Sequence, residues 1–366
     1  MRIQQGNRGN KLIFNYQFSI FIVTSEIPSK LGFRFPAEWE PHAATWLAWP
    51  YNLNTWEGHL DGAEAAFVEM IKSLTPNEKV NLLVPDENVK NRAEEKLKSE
   101  KFDRKNLEMH LIESGDVWFR DYGPIFIIKP DEVAYTKWKY NAYGHKYHDL
   151  LISNEVPDKM PLKNLKKIET GIVLEGGSID VNGTGTLLTT ESCLLSRDRN
   201  PHMTREQIET ALKNFLGVTD VLWLSSGIEG DDTTGHVDDL TRFVGPAIVV
   251  TVEESNQKDP NYEPLMENAR RLERMENEKG EMLTVIPLHM PEPFIVEGRR
   301  MAATYANFYI ANGIVLVPIY MQKSDSEALS ILQECFPDRK IIGIDCRELI
   351  WGYGSIHCAT MQEPEP

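Results

Sequence analysis

Cysteine is scarce: Cys193, Cys335, Cys346 and Cys358 are spread over 366 residues with no CxxC pair and no zinc-finger spacing. A disulfide framework is thereby disfavoured, and a reducing, cytoplasmic compartment is expected. Long apolar runs are also missing. The longest candidate for a targeting segment, FSIFIVTSE, has an apolar run of about seven residues, at the lower limit for a signal peptide. No stretch approaches the roughly 20 apolar residues of a membrane span. Positive charge is in deficit, 39 − 55 = −16, and the imbalance runs along the whole chain. That argues against nucleic acid as a partner and favours a neutral or cationic one. There is no phosphate loop, no GxSxG and no Gly-rich dinucleotide fingerprint, so nucleotide cofactors are disfavoured. Residues 1–28 read as an appendage, either disordered or the product of a start codon placed too early.

What is present is an ordinary apolar fraction, 41%, enough for a sizeable core. Five segments share the plan strand, turn, strand: WLAWPYN near 46, DYGPIFIIKPDEVAYTKW, GGSIDVNGTGTLLTT, HVDDLTRFVGPAIVVTVEE and YANFYIANGIVLVPIY. Asn182-Gly-Thr184 is read as one of the hairpin turns rather than a glycosylation site. Between the hairpins lie helical patterns followed by short apolar strands, as in TREQIETALKNFL then VLWLSS. The stretch 141–174 fits worst, because Pro157 and Pro161 interrupt its helix. SIHCATMQ at the C-terminus begins another strand that completes the truncated first unit and closes a ring. The loose period points to a circular repetition of one ββαβ module, whose sheets must share a core because one module cannot bury its own face.

Residues of catalytic type stand at the hairpin starts: Trp118, Arg120 and Asp121, then Glu175, then His236 and Asp238, then His357 and Cys358. If the modules close into a ring these residues converge on one end of the scaffold, where sites are built. Each has a plainer reading. Cys358 taken alone is a small buried hydrophobe, as are Cys193, Cys335 and Cys346. Asp121 beside Arg120 is equally an ordinary surface pair. His236 and Asp238 read as a turn with a solvated edge or as two metal ligands. A metal needs further His or Cys ligands, and His357 and Cys358 as strand neighbours would point to opposite faces, so none is expected. Together, one thiol, one histidine and three carboxylates suit a planar cation. Paired carboxylates hold a guanidinium in line for thiolate attack, and a histidine protonates the departing ammonia and then activates water.

At these residues the chain resembles the agmatine deiminase branch of the guanidino-modifying superfamily, relatives of the bacterial peptidylarginine deiminases. The resemblance runs from GFRFPAEWEPHAATWLAWP through DVWFRDYGPIF, LEGGSIDVNGTGTLLTTESCLLSRDRNP, TTGHVDDLTRF and ATYANFYIANG to GSIHCATMQ. It implies an α/β pentein fold, a five-fold pseudosymmetric propeller, as a single catalytic domain over residues 29–366. It implies Cys358 as nucleophile, His236 as general acid and base, Asp121 and Asp238 as guanidinium clamps, Glu175 as a further carboxylate, Trp118 as an apolar wall and Gly354 as a backbone contact. Neither metal nor organic cofactor is implied.

The expected reaction is a hydrolysis at the C–N bond of a linear amidine, agmatine and water giving N-carbamoylputrescine and ammonia, a step of polyamine metabolism. Asp232 is expected to meet the agmatine ammonium, while Arg299 and Arg300 keep an arginine substrate open. The alternative enzyme is a deiminase that makes citrulline from peptidyl or C-terminal arginine, through an open groove at Tyr353 and the loop 254–264. The alternative of another class is a noncatalytic guanidine or polyamine binder. No nucleic-acid or membrane partner is expected, and a homo-oligomer is compatible with the sequence. Where the family reads GGGNIHC this chain has GYGSIHC, so Tyr353 and Ser355 replace a Gly and an Asn, which predicts a reshaped mouth. Asp180, where a His is common, is expected farther from the chemistry.

Overall fold

The computed structural model describes residues 27–98, 100 and 104–366. The appendage inferred for residues 1–28 therefore lies outside the described residues, apart from its last two.

Five sheets repeat one plan, two antiparallel strands followed by a third, parallel strand reached through a crossover. The second pairs Ile125–Lys129 with Glu132–Lys139 and then Lys166–Val173. The third pairs Ile179–Val181 with Thr186–Thr190 and then Asp220–Leu224. The fourth runs Thr241–Gly245, Ile248–Glu253, Thr284–His289, and the fifth Tyr309–Ala311, Ile314–Ile319, Lys340–Asp345. The first sheet begins with the last strand of the chain: Met361–Pro364 pairs antiparallel with His42–Ala48, followed by Lys79–Val84 and Leu107–Leu111. The C-terminus thus completes the first module, as the repeat predicted. WLAWPYN is not a hairpin, however. Its strand ends at Ala48, and the partner comes from the far end of the sequence.

Sequence chemistry sets the crossovers. Helix Leu60–Leu74 buries Ala63, Ala66, Phe67, Met70, Ile71 and Leu74, a stripe at helical spacing. Helix Arg205–Leu216 opens on a capping box between Thr204 and Gln207 and stops at Gly217, which takes φ 68°. The crossover of the second module holds no long helix. Its backbone passes through the 3₁₀ segment His148–Glu155 and the short helix Val156–Lys159, consistent with the two prolines. Asn182 caps its own hairpin, its side-chain oxygen accepting from the N–H groups of Thr184, Gly185 and Thr186.

The modules meet through buried ions rather than through apolar contacts alone. Glu38 accepts from Arg120 at 3.0 Å, Arg242 at 3.0 Å and the Ile310 N–H at 2.8 Å, and its carboxylate faces His357 Nε2 at 2.8 Å. Arg242 continues to Asp180 at 2.9 Å. These contacts join the entry turn of the second module, the first strands of the third, fourth and fifth, and the C-terminal turn. The entrances to all five modules therefore converge, and Asp180 serves as an anchor for Arg242 away from the chemistry, as expected. Arg120 does not pair with Asp121 at the surface. Both are buried, and Arg120 turns to Glu38.

Candidate active site

Each functional side chain sits on a short turn that delivers the chain into the first strand of a module. Trp118 and Asp121 belong to the turn before Ile125–Lys129, Glu175 precedes the 3₁₀ turn Gly176–Ser178, and His236 precedes Val237–Asp239, which holds Asp238. His357 and Cys358 also lie on a turn, closed by the Ala359 N–H on Ile356 O and the Thr360 N–H on His357 O. The expectation of a strand at SIHC is corrected here. A tight turn lets His357 and Cys358 both address Asp238, which neighbours on a pleated strand could not do.

The turns place the groups within reach of one another. Asp238 Oδ2 lies 2.7 Å from His357 Nδ1 and 3.6 Å from Cys358 Sγ. His236 Nδ1 stands 3.6 Å from Asp121 Oδ1 and 4.0 Å from Asp238 Oδ1. Both ring nitrogens of His236 are buried without a hydrogen-bond partner among the described residues, a free donor and a free acceptor held in reserve. Gly177 occupies the middle. A Cβ there would lie 2.7 Å from His236 Nδ1, 2.8 Å from Asp121 Oδ1 and 2.9 Å from Asp238 Oδ2, closer than carbon can approach. Gly177→Ala is therefore expected to lower kcat by about two orders of magnitude by displacing these groups. Turnover by a variant shown to be folded by circular dichroism checks this, and a native rate would contradict it.

Burial sets the electrostatics. It pushes the Asp121 carboxyl well above the usual carboxylate range, with the charges of Asp238 and Glu175 adding to the rise. Burial opposes ionisation of Asp238 as well, but the hydrogen bond and charge of His357 hold that carboxyl below its ordinary value. The His236 imidazole is pushed down to about 3 by burial, so it is neutral at pH 7. The Cys358 thiol is pushed well above the usual thiol range by burial and by the carboxylates Asp238, Asp239 and Asp121. An empty site thus holds a protonated thiol, and a cation entering between these carboxylates lowers the cost of forming a thiolate.

Cys358, Asp121, Trp118, Gly354 and Asp232 all line one cavity of about 300 Å³. Asp238 and His236 adjoin that lining, 3.6 Å from Cys358 Sγ and 3.6 Å from Asp121 Oδ1 respectively. Glu175 is fully buried and accepts from Arg199 Nε at 2.9 Å, and its other oxygen is unpartnered. Asp232 reaches the cavity but is already paired, to Lys146 Nζ at 3.2 Å and to the Tyr147 hydroxyl. Gly354 is needed for packing, since a Cβ there would come within 2.6 Å of the Trp118 ring. Two donor sets, Glu175–Cys193–His236 and Asp238–Asp239–Cys358, each fall within 4.8 Å. Their carboxylates already serve Arg199, His357 and Asn307.

Three groups escaped the sequence reading. Asn307 Nδ2 donates to Cys358 Sγ at 3.1 Å and to Asp239 at 2.9 Å, while its carbonyl accepts from the His357 N–H at 2.9 Å and the Ser355 hydroxyl at 2.8 Å. Its position just before the first strand of the fifth module, matching Asp121 and Asp238 in theirs, is the signal that would have found it. Tyr143 donates to Asp121 Oδ2 at 2.8 Å from a left-handed turn in which Ala142, Tyr143, Gly144 and His145 take φ of 52°, 57°, 81° and 64°. Glu38 is the third.

The chain is similar to known proteins over nearly all of its described length. Residues 34–364 match the Porphyromonas-type peptidyl-arginine deiminase family. The chain belongs to this family. It is 36% identical to the agmatine deiminase of Ectopseudomonas mendocina over 93% of this chain and 97% of that protein. Among solved structures, the agmatine deiminase of Enterococcus faecalis superposes with a TM-score of 0.86 at 34% identity, covering 93% of this chain and 98% of that one. A cysteine-to-serine variant of C. jejuni agmatine deiminase with substrate bound gives a TM-score of 0.82 at 32% identity, over 91% and 96%. The fold is the pentein fold, and no helix among the described residues is long and apolar enough to cross a membrane.

Proposed function

We propose that this protein hydrolyses agmatine to N-carbamoylputrescine and ammonia, with residues 29–366 acting as one catalytic unit. The observation that carries the reading is a thiol opening onto a small cavity beside Asp121, with Asp238 3.6 Å from its sulfur. The guanidinium lies against Asp121 and Asp238, with Trp118 and the Gly354 backbone as walls, and its charge offsets that of the thiolate it meets. Cys358 Sγ attacks the guanidinium carbon as its proton passes to His236. The C–N bond to a terminal nitrogen breaks, and His236 returns the proton to the departing ammonia. His236 then takes a proton from water, whose oxygen attacks the S-amidino carbon. The C–S bond breaks, leaving the ureido product and the thiol. Asn307 holds the Cys358 turn and donates to the sulfur. Glu175, paired with Arg199, is a further buried carboxylate near His236, with one oxygen unpartnered.

Agmatine is favoured over peptidyl arginine by the size and closure of the site. A cavity of about 300 Å³ suits a small molecule. Arg299 lies over Tyr353, and Arg300 ties the neighbouring loop through Asp259, which supports a restricted mouth rather than an open groove for a peptide backbone. With Asp232 already paired, the agmatine ammonium is better served by Asp149. Burial raises that carboxyl, but hydrogen bonds from Asn54 and Asn52 hold it below its usual range. The four described cysteines are all free thiols, which supports a reducing, cytoplasmic compartment.

The coupling of thiolate formation to a bound cation is testable with paired alkylating agents. At neutral pH, 2-chloroacetamidine, which carries an amidinium, is expected to inactivate the enzyme at least about a hundredfold faster than neutral iodoacetamide. In Asp238→Asn this ratio is expected to collapse. Equal rates with both reagents in the native enzyme, or an unreactive Cys358, would overturn the mechanism.

A further inference from the structure

The mouth of the cavity holds a cation that the deimination of agmatine does not call for. Arg299 lies on a short hairpin in which Ile295–Val296 pairs with Arg299–Arg300 across Glu297 and Gly298, at φ 51° and 78°. Arg300 fixes this hairpin, giving both oxygens of Asp259 a hydrogen bond of 2.8 Å. Alternation along the strand then turns Arg299 the other way, to line the cavity. Its guanidinium lies 5.3 Å from the centre of the Tyr353 ring, and among the described residues it forms no ion pair. Tyr353 itself is held at φ 72°, between Gly352 and Gly354.

Charge at the mouth is balanced rather than acidic. Asp232 is neutralised by Lys146, leaving Asp149 as the carboxylate for a distal ammonium and Arg299 as an uncommitted cation on the same wall system. A guanidinium fork repels an ammonium and is a strong, bidentate partner for a carboxylate. Resting on the deiminase reading, we propose that Arg299 determines specificity at the far end of the substrate and admits a second class, ω-guanidino carboxylates. 4-Guanidinobutanoate is the matched case, because its carboxylate carbon takes the place of the last methylene of agmatine. Its guanidinium then meets Cys358 as agmatine does, and the reaction consumes water and yields ammonia and the ureido acid.

The test is ammonia release from agmatine and from 4-guanidinobutanoate, by the native enzyme and by Arg299→Gln, an exposed position whose substitution leaves the core intact. The native enzyme is expected to turn over both. Arg299→Gln is expected to lower kcat/KM for the acid by about tenfold or more, through KM, and to raise it for agmatine by relieving repulsion. A structural role for Arg299 would move both substrates the same way, and that outcome overturns the proposal. So does a native enzyme that acts on agmatine and not at all on the acid. Native enzyme silent on both substrates would overturn the deiminase reading itself, and the proposal with it.

Discussion

Cys358→Ala is expected to abolish ammonia release from agmatine, lowering kcat by at least about four orders of magnitude while the protein still binds the substrate. The guanidinium carbon is stabilised by resonance, and water alone is too weak a nucleophile to reach it. The covalent route divides that barrier into two lower ones, and no neighbouring group can replace the sulfur. Cys193 is fully buried behind His236, and the remaining cysteines lie outside the cavity lining. The carboxylates Asp121 and Asp238 do not depend on the sulfur for their positions, since Tyr143, the Gly177 N–H and His357 hold them. Calorimetry should therefore record agmatine binding to Cys358→Ala alongside the loss of turnover. A residual rate within tenfold of native would show that sulfur is not the nucleophile.

The second large effect concerns a residue that touches no substrate. Glu38→Gln is expected to destabilise the fold by about 3 kcal/mol or more, because it leaves Arg120 and Arg242 buried with a lost counter-charge. Burial alone would raise the Glu38 carboxyl, but Arg242, His357 and Arg120 together hold it well below its usual range, so at neutral pH it is an anion at the hub of two guanidinium groups and the His357 imidazole. The sign with pH follows. A carboxylate depressed in the folded state contributes stability that is present above its unfolded value and lost as pH falls through the folded one. The native enzyme should thus lose stability in acid while Glu38→Gln lacks this part of the loss. Urea unfolding of both proteins measures the difference, and midpoints that coincide at neutral pH would refute the role. Activity should fall as well, since His357 joins Glu38 to Asp238.

What the sequence revealed and what it hid divide along one physical line. Short-range patterns carried far: the Asn182 turn, the helical pattern TREQIETALKNFL, the prolines that break the second crossover, and the placement of Asp121, Glu175, His236, Asp238 and Cys358 before strands. Contacts between distant modules did not. Glu38 reads as one acidic residue in PAEWEP, and nothing local says that it will meet Arg120, Arg242 and His357. The left-handed turn at Ala142–His145 has only Gly144 as a local signal, so Tyr143 was not seen to reach Asp121. The pairing of Asp232 with Lys146 and Tyr147 was hidden for the same reason, and on that pairing rests our proposal of Asp149 for the ammonium. The strand assigned to SIHC failed because its apolar and small residues fit a buried turn equally well. That turn is held from outside by Asn307.

The most direct measurement compares agmatine, free arginine and a peptide ending in arginine as substrates of the native protein, with ammonia and the ureido product both quantified. The account predicts that agmatine has the highest kcat/KM, that N-carbamoylputrescine forms in equal amount to ammonia, and that the peptide is not turned over. Preferred turnover of the peptide, or no ammonia from agmatine, would contradict it.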